Sequence, residues 1–337
     1  MPRALISGVA GMVGSHLAEY LFDNTDWDIV GTMRWNDPID NLEELSDRIN
    51  RKDRISIVYA DLNDAWSMRS AVNGVDYIFH LAAQSYPKTS FDIPSETLQT
   101  NIIGTLNLLE AVRQEAAEAW VHVCSSSEVY GRVPRELIPI KEDCPFYPAS
   151  PYSISKVGTD LLGKFYADAY GLRVVTTRMF THTGPRRGDV FAESSFAKQI
   201  AMVEADMIPP VVKVGNLKSL RTIADVRDAV RAYHMLLTVN PIPGEVYNIG
   251  GYHTCTVGGI LNTLLAMSSS KIDVEVDPQR LRPVDADLQV PDCSKFMNHT
   301  GWKPEIPFEQ TMRDLLSFWR DRVKTYPVLN RLCALFF

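Results

Sequence analysis

Short apolar runs and amphipathic stretches alternate over the first half of the chain. RALISG, WDIVGTM, ISIVYADL, VDYIFHLAA, AWVHVCSS and LRVVTTRMF are apolar almost throughout, the pattern of strands buried on both faces. Between several of them, SHLAEYLFD, MRSAVNG, TLNLLEAVRQEA and SKVGTDLLGKFYADAYG place apolar residues at helical spacing. Such alternation predicts an α/β fold, a Rossmann-type doubly wound parallel sheet. After about Phe180 the rhythm breaks into segments interrupted by Pro and Gly. Helices are still predicted at FAKQIAMVEA, VRDAVRAYHMLL, GGILNTLLAMS and FEQTMRDLLSFWRDRV. The expected division is residues 1–180 as the Rossmann domain and 181–337 as mainly a smaller C-terminal lobe, with some chain returning to the first body.

Composition narrows the class. Of 337 residues, 45% are hydrophobic and 22% charged, which suits a soluble globule with a large core. The formal charge of −7, from 34 basic and 41 acidic residues, argues against a nucleic-acid surface but allows a local basic pocket for one phosphorylated ligand. Cys124, Cys144, Cys255, Cys293 and Cys333 form no CxxC pair or metal-ligand grouping, so they read as reduced and no metal site is expected. The N-terminus runs straight into a strand pattern without signal-peptide regions. No apolar stretch approaches the roughly 20 residues of a membrane span. The closing RLCALFF reads as a docked tail or a dimer contact, and a cytoplasmic location is expected.

Candidate chemistry lies at strand ends. In GVAGMVG, Gly8, Gly11 and Gly14 stand between the first strand and the first helix. A tight turn backed by a helix N-terminus offers N–H groups to a pyrophosphate, with Met12 and Val13 in the same turn. The second strand ends in Arg34, a residue suited to a ribose 2′-phosphate, with the acid Asp37 following; NADP is favoured and NAD stays possible. Asp61 and Leu62 after the third strand suit the adenine, and Leu81, Ala82 and Ala83 after the fourth let a dinucleotide lie close to the backbone. In PYSISK, Tyr152 and Lys156 share one helix face. An ammonium beside a phenol is expected to lower the phenol's pKa. CSSSEVYG adds Ser126 and Glu128 at another strand end.

GVAGMVG, LAAQ, SSSEVYG, YSISK and RPVD together resemble the extended short-chain dehydrogenase/reductases of nucleotide sugars, over about residues 3 to 325. Within that superfamily the chain is most similar to the GDP-mannose 4,6-dehydratases and GDP-4-keto-6-deoxymannose reductases. LAAQSYPKTSFDIP, SSSEVYG, PFYPASPYSISK and GPRRG look like the dehydratase. FAKQIAMVE, VKVGNLKSLRTIADVRDAVRAY and the stretch from Leu281 to Thr311 look more like the reductase. The resemblance implies a Rossmann sheet that binds NAD(P) and a C-terminal lobe that closes over a sugar nucleotide.

The resemblance also implies roles. Ser126, Tyr152 and Lys156 oxidise the sugar's 4-hydroxyl, Lys156 also holding the nicotinamide ribose. Glu128 removes the acidified C5 proton while the C6 hydroxyl leaves as water, a step a reductase or 4-epimerase does not need. Gln84, Ser85, Ser126, Glu128, Thr181, Arg187, Asn216, Arg221 and Arg282 face the substrate, Arg221 and Arg282 at the diphosphate and Asn216 near the nucleoside. Arg186 and Arg187 resemble arginines that reach cofactor phosphate across a subunit boundary. Thr181 departs from the family's usual Asn.

Four readings follow. The first is a 4,6-dehydratase acting on GDP-mannose or a GDP-manno-heptose. The others are an NADPH-dependent reductase of a 4-keto-6-deoxy sugar nucleotide, a 4-epimerase, and a non-catalytic NADP-binding protein. A homodimer or homotetramer is expected through TLNLLEAV and VGTDLLGKFY.

Overall fold

The computed structural model describes residues 1–284 and 286–325. Asp285 of the RPVD motif, Cys333 and the RLCALFF tail lie outside the described residues. Six strands follow the predicted order: β1 Arg3–Ser7, β2 Asp28–Met33, β3 Ile55–Tyr59, β4 Tyr77–His80, β5 Trp120–Cys124 and β6 Arg173–Met179. The second half adds β7 His182–Thr183, β8 Val211–Val214, β9 Leu220–Asp225, β10 Val246–Ile249, β11 His253–Thr256, β12 Asp273–Val276 and β13 Leu288–Gln289. The main sheet runs β10-β6-β5-β4-β1-β2-β3. All its pairings are parallel.

This order explains the apolar runs, since both faces of the sheet are covered. One face packs on helices Met12–Asn24 and Val226–Thr238 through Leu17, Leu21, Tyr233 and Leu236. The other packs on Ala65–Val72, Gly104–Glu115 and Pro151–Tyr170 through Met68, Leu108, Leu109 and Tyr166. Strand order reverses between β1 and β4, and such a switch point opens a crevice at the strands' carboxyl ends.

β10 comes from late in the chain yet closes the main sheet's edge against β6. A separate core joins helices Ala192–Glu204, Val257–Ala266 and Phe308–Thr325 to β8. β12 pairs with β8, while β7, β11 and β13 pair with β9. These short strands were not legible as strands: each is only two to six residues long, too short for a period to stand out.

Local chemistry fixes the helix that matters most. Pro151–Tyr170 starts at Ser150, whose side chain and that of Ser153 form a reciprocal capping box, with Pro at the first turn. It ends at Gly171 with φ 68°, the left-handed cap that glycine adopts without strain. Tyr152 and Lys156 therefore sit on its first turns, pointed at the carboxyl end of β5.

Candidate active site

One cleft of about 1680 Å³ runs from the glycine turn after β1 to the second lobe, and every site residue expected from the sequence lines it. Its dinucleotide half is built from backbone. Gly8 takes φ 75°, and the N–H groups of Gly8 and Val9 both donate to the carbonyl of Thr32. A Cβ on Gly14 would stand 2.3 Å from the Gly8 oxygen and 2.8 Å from Val9 Cα, so any other residue would push the helix off the strand. Gly11 caps the Met12–Asn24 helix with no side-chain hydrogen bond, which leaves its first turn facing the cleft. A glycine cradle at an uncapped helix N-terminus fits a pyrophosphate.

The turn after β4 is held from beneath. Leu81 N and Ala82 N donate to Ser7 Oγ at 3.0 and 3.1 Å. Thr105 gives its own proton to Asn101 O, so His80 Nε2 donates to Thr105 Oγ1 at 2.9 Å, and Nδ1 accepts from Ser7 Oγ at 3.0 Å. Burial pushes the His80 pKa down to about 3, with the Lys156 charge adding to it, in keeping with that neutral ring. Asp61 Oδ1 accepts from Asn63 N, and Leu62 O accepts from Asn107 Nδ2 at 2.8 Å.

At the end of β2, Arg34 forks onto Asp37 Oδ1 through Nε and a terminal nitrogen at 2.9 and 2.7 Å. The cation expected at a 2′-phosphate thus stands paired with the acid expected at a 2′-hydroxyl. Arg34 remains 58% exposed, accessible to a phosphate that competes for its fork.

The reacting wall joins the end of β5 to the Pro151–Tyr170 helix. Ser126 Oγ accepts from Glu128 N at 3.2 Å, starting a single helical turn that presents Glu128 half-buried on the cleft. Ser125 Oγ donates to Lys156 O at 3.3 Å. Tyr152, Lys156 and Ser126 are all buried.

The Tyr152 pKa stands above the ordinary phenol value: burial raises it most, a hydrogen bond with Ser126 lowers it, Cys124 and the Glu128 charge raise it further, and the Arg187 charge lowers it. The expectation that Lys156 lowers the phenol's pKa needs correction. Lys156 Nζ donates to Cys124 O at 2.8 Å, and the cation acting on the phenol is Arg187. The strand-end carbonyl captures the ammonium, which burial itself disfavours.

The half of the cleft toward the second lobe is lined by side chains that find partners within this chain. Arg187 Nε donates to Glu193 Oε1 at 3.2 Å, and its guanidinium lies 3.4 Å over the Phe191 ring. Arg186 takes φ 68° and turns to the first helix, reaching Glu19 Oε1 at 2.6 Å. Asn216 Nδ2 donates to Ser219 Oγ at 2.8 Å, and its Oδ1 accepts from Lys218 N. Arg221 donates to Leu220 O, and Arg282 is half-buried near Tyr86. Thr181 accepts at its carbonyl from Ala224 N at 2.9 Å, a backbone contact that does not depend on the missing amide. Ser85 is exposed in the cleft.

Gln84 Oε1 is buried and has no hydrogen-bond partner among the described residues. An acceptor left this way costs about 1–3 kcal/mol unless something donates to it, and Gln84 lines the cleft. Three features escaped the sequence reading. Asn101 Oδ1 accepts from Gln84 N at 2.8 Å, while its Nδ2 donates to Gln84 O and Ser155 Oγ at 2.9 and 2.8 Å. Tyr86 meets Phe191 edge-on with centroids 5.5 Å apart. Lys88 Nζ reaches Gln279 O across the cleft. Only Asn101 left a signal, a polar residue on the buried side of the apolar run TNIIGTLNLL.

A family model for GDP-mannose 4,6 dehydratase matches residues 5–315. A GDP-6-deoxy-D-mannose reductase of Pseudomonas aeruginosa is 30% identical over 323 residues, covering 96% of this chain and 98% of the relative. A GDP-mannose 4,6-dehydratase of Yersinia enterocolitica is 30% identical over 366 residues, covering 98% and 97%. Among solved structures, RMD from Pseudomonas aeruginosa complexed with NADPH superposes with a TM-score of 0.81 at 29% identity, covering 96% of this chain and all of that one.

Proposed function

We propose that the chain, which belongs to the GDP-mannose 4,6-dehydratase family, converts GDP-mannose or a GDP-manno-heptose to the 4-keto-6-deoxy sugar. Glu128 carries this reading: a carboxylate beside the buried Tyr152 and Ser126, close enough for its charge to act on the phenol. A second proton-transfer group is what separates water elimination from simple oxidation or reduction.

The Gly8–Gly14 cradle, the Leu81–Ala83 turn and Lys156 would hold a nicotinamide dinucleotide, with Arg34 favouring NADP over NAD. When bound, that cofactor supplies acceptance of a hydride from C4 and its return to C6. Tyr152, with Ser126 hydrogen-bonded to it, takes the proton of the C4 hydroxyl. Glu128 then takes the C5 proton, acidified by the new ketone, as the C6 hydroxyl departs. Two protons have been taken up, by Tyr152 and Glu128. Two must be delivered, one to the leaving hydroxide and one to C5. The pair therefore returns to its starting state in each turnover.

Arg187, Arg221 and Arg282 would hold the diphosphate by their forked donors. Gln84 Oε1 would accept from a sugar hydroxyl, Ser85 and Thr181 would flank the sugar, and Asn216 would stand near the nucleoside. Residues 181 onward serve mainly as this substrate lobe. A homodimer is consistent with Ile154, Leu161 and Phe165, each about half exposed on one helix. A cytoplasmic location fits, and no helix among the described residues is long and apolar enough to cross a membrane.

The 30% identity to a reductase favours a second reading, stoichiometric reduction of a 4-keto-6-deoxy sugar nucleotide. Cofactor consumption separates the two. A dehydratase turns over many GDP-mannose molecules for each NADP, whereas a reductase oxidises one NADPH per product.

A further inference from the structure

We propose that Arg178 is a positioning residue. With Asp160 and Tyr130, it clamps the turn carrying Glu128 to the helix carrying Tyr152 and so sets the spacing of the two proton-transfer groups. The inference rests on the dehydratase reading above.

Tyr152, Lys156 and Asp160 follow one another at intervals of four, on one face of the Pro151–Tyr170 helix. The first two face the cleft, and Asp160 lies one turn deeper and buried. Arg178 is buried in β6 between Thr177 and Met179, both buried as well. Its Nε and one terminal nitrogen donate to the two Asp160 oxygens at 2.8 and 2.9 Å. Its other terminal nitrogen donates to Tyr130 Oη at 2.9 Å and to Glu142 O at 2.7 Å. Tyr130 Oη in turn donates to Asn248 Oδ1 at 2.8 Å. The guanidinium also lies 4.7 Å from the Phe146 ring centre. Each guanidinium nitrogen thus has a partner.

Such a pair is a poor way to gain stability, because burying both charges carries a desolvation cost that a well-packed apolar pair would not incur. What it provides is direction: a planar fork accepts one geometry. That direction reaches Glu128 through two residues of backbone. Tyr130 N donates to Ser127 O, Gly131 N to Glu128 O, and Arg132 N to Tyr147 O. A Cβ on Gly131 would lie 1.7 Å from Tyr147 O, so the turn cannot slide along its neighbour. Moving the Tyr130 ring moves the Glu128 carboxylate, while Tyr152 stays on the helix that Asp160 anchors.

The test is Tyr130→Phe, which removes one hydroxyl and keeps the ring. With GDP-mannose and NADP, kcat falls about tenfold with KM within about twofold of the parent. The isotope effect with 5-deuterated GDP-mannose rises, and that with the 4-deuterated substrate does not. Hydrogen exchange of the unliganded variant speeds up at residues 126–131 and stays unchanged along β1, β4 and β5. Unchanged kcat and exchange would overturn the clamp. So would exchange rising across the whole sheet, the signature of an ion pair that only stabilises the fold. If the parent protein releases no water from GDP-mannose, the dehydratase reading fails by itself, and local exchange at 126–131 still decides the clamp.

Discussion

The two halves of the cleft are built on different principles. The dinucleotide half is a surface of backbone: glycines at 8, 11 and 14, the Leu81–Ala83 turn, and a helix start with no side-chain cap. The half proposed for the sugar nucleotide is a surface of long charged side chains with partners in their own chain, such as Arg187 on Glu193 and Lys198 on Asp189. Backbone geometry is set once the chain folds. A guanidinium already engaged by a carboxylate must exchange that partner for a phosphate. On the proposed function, the first half would be a preformed mould, and the second would gain its affinity as a difference between two sets of ion pairs.

Substitutions along the cleft should reveal that contrast. The largest effect is expected between the halves, at the reacting wall. Tyr152→Phe should lower kcat by about 10³, within the range for a lost proton-transfer group, with NADP affinity kept; steady-state turnover and cofactor titration check both. Glu128→Gln should lower water release about 10²-fold while C4 oxidation, followed as NADPH absorbance in a single turnover, persists. Retained dehydration would remove Glu128 from the mechanism.

In the dinucleotide half, Gly14→Ala should weaken NADP binding at least tenfold and lower the melting temperature, because its Cβ meets backbone at 2.3 Å. Calorimetry and thermal unfolding read both.

A further effect, on stability rather than on the cleft, is one of pH. Burial lowers the pKa of His80 and His122 to about 3 and, with the Arg187 charge, that of His182 to about 4. An unfolded chain binds protons at these rings from about pH 6.5 downward, and the folded chain does not. Stability is therefore full above that value and is lost as pH falls toward 4 and 3, by about 2 kcal/mol per ring at pH 5. Melting temperatures from pH 7.5 to 5 should decline accordingly, and His122→Phe should flatten the slope.

The same contrast governs what the sequence made legible. GVAGMVG, the strand runs and the i, i+4 pair Tyr152–Lys156 are local patterns, and local sterics carry them into the fold unchanged. The pairing of Arg187 with Glu193 and Phe191 spans seven residues, mostly irregular chain that only reaches its helix at Ala192, with no period to expose it. Asn101, Lys88 and Tyr130 act on residues 17 to 191 positions away, a distance that no spacing rule spans. The Lys156 expectation failed for a related reason. Helix geometry put the ammonium on the phenol's face, but the carbonyl that captures it belongs to β5.

The central claim is that Glu128 and Tyr152 together make this cleft a dehydratase. The most direct test is mass spectrometry of GDP-mannose incubated with the protein and a trace of NADP, without reductant. The account predicts conversion to a product lighter by one water, in many-fold excess over the cofactor. An unchanged substrate, together with NADPH oxidised one-for-one when a GDP-4-keto-6-deoxy sugar is supplied, would contradict it.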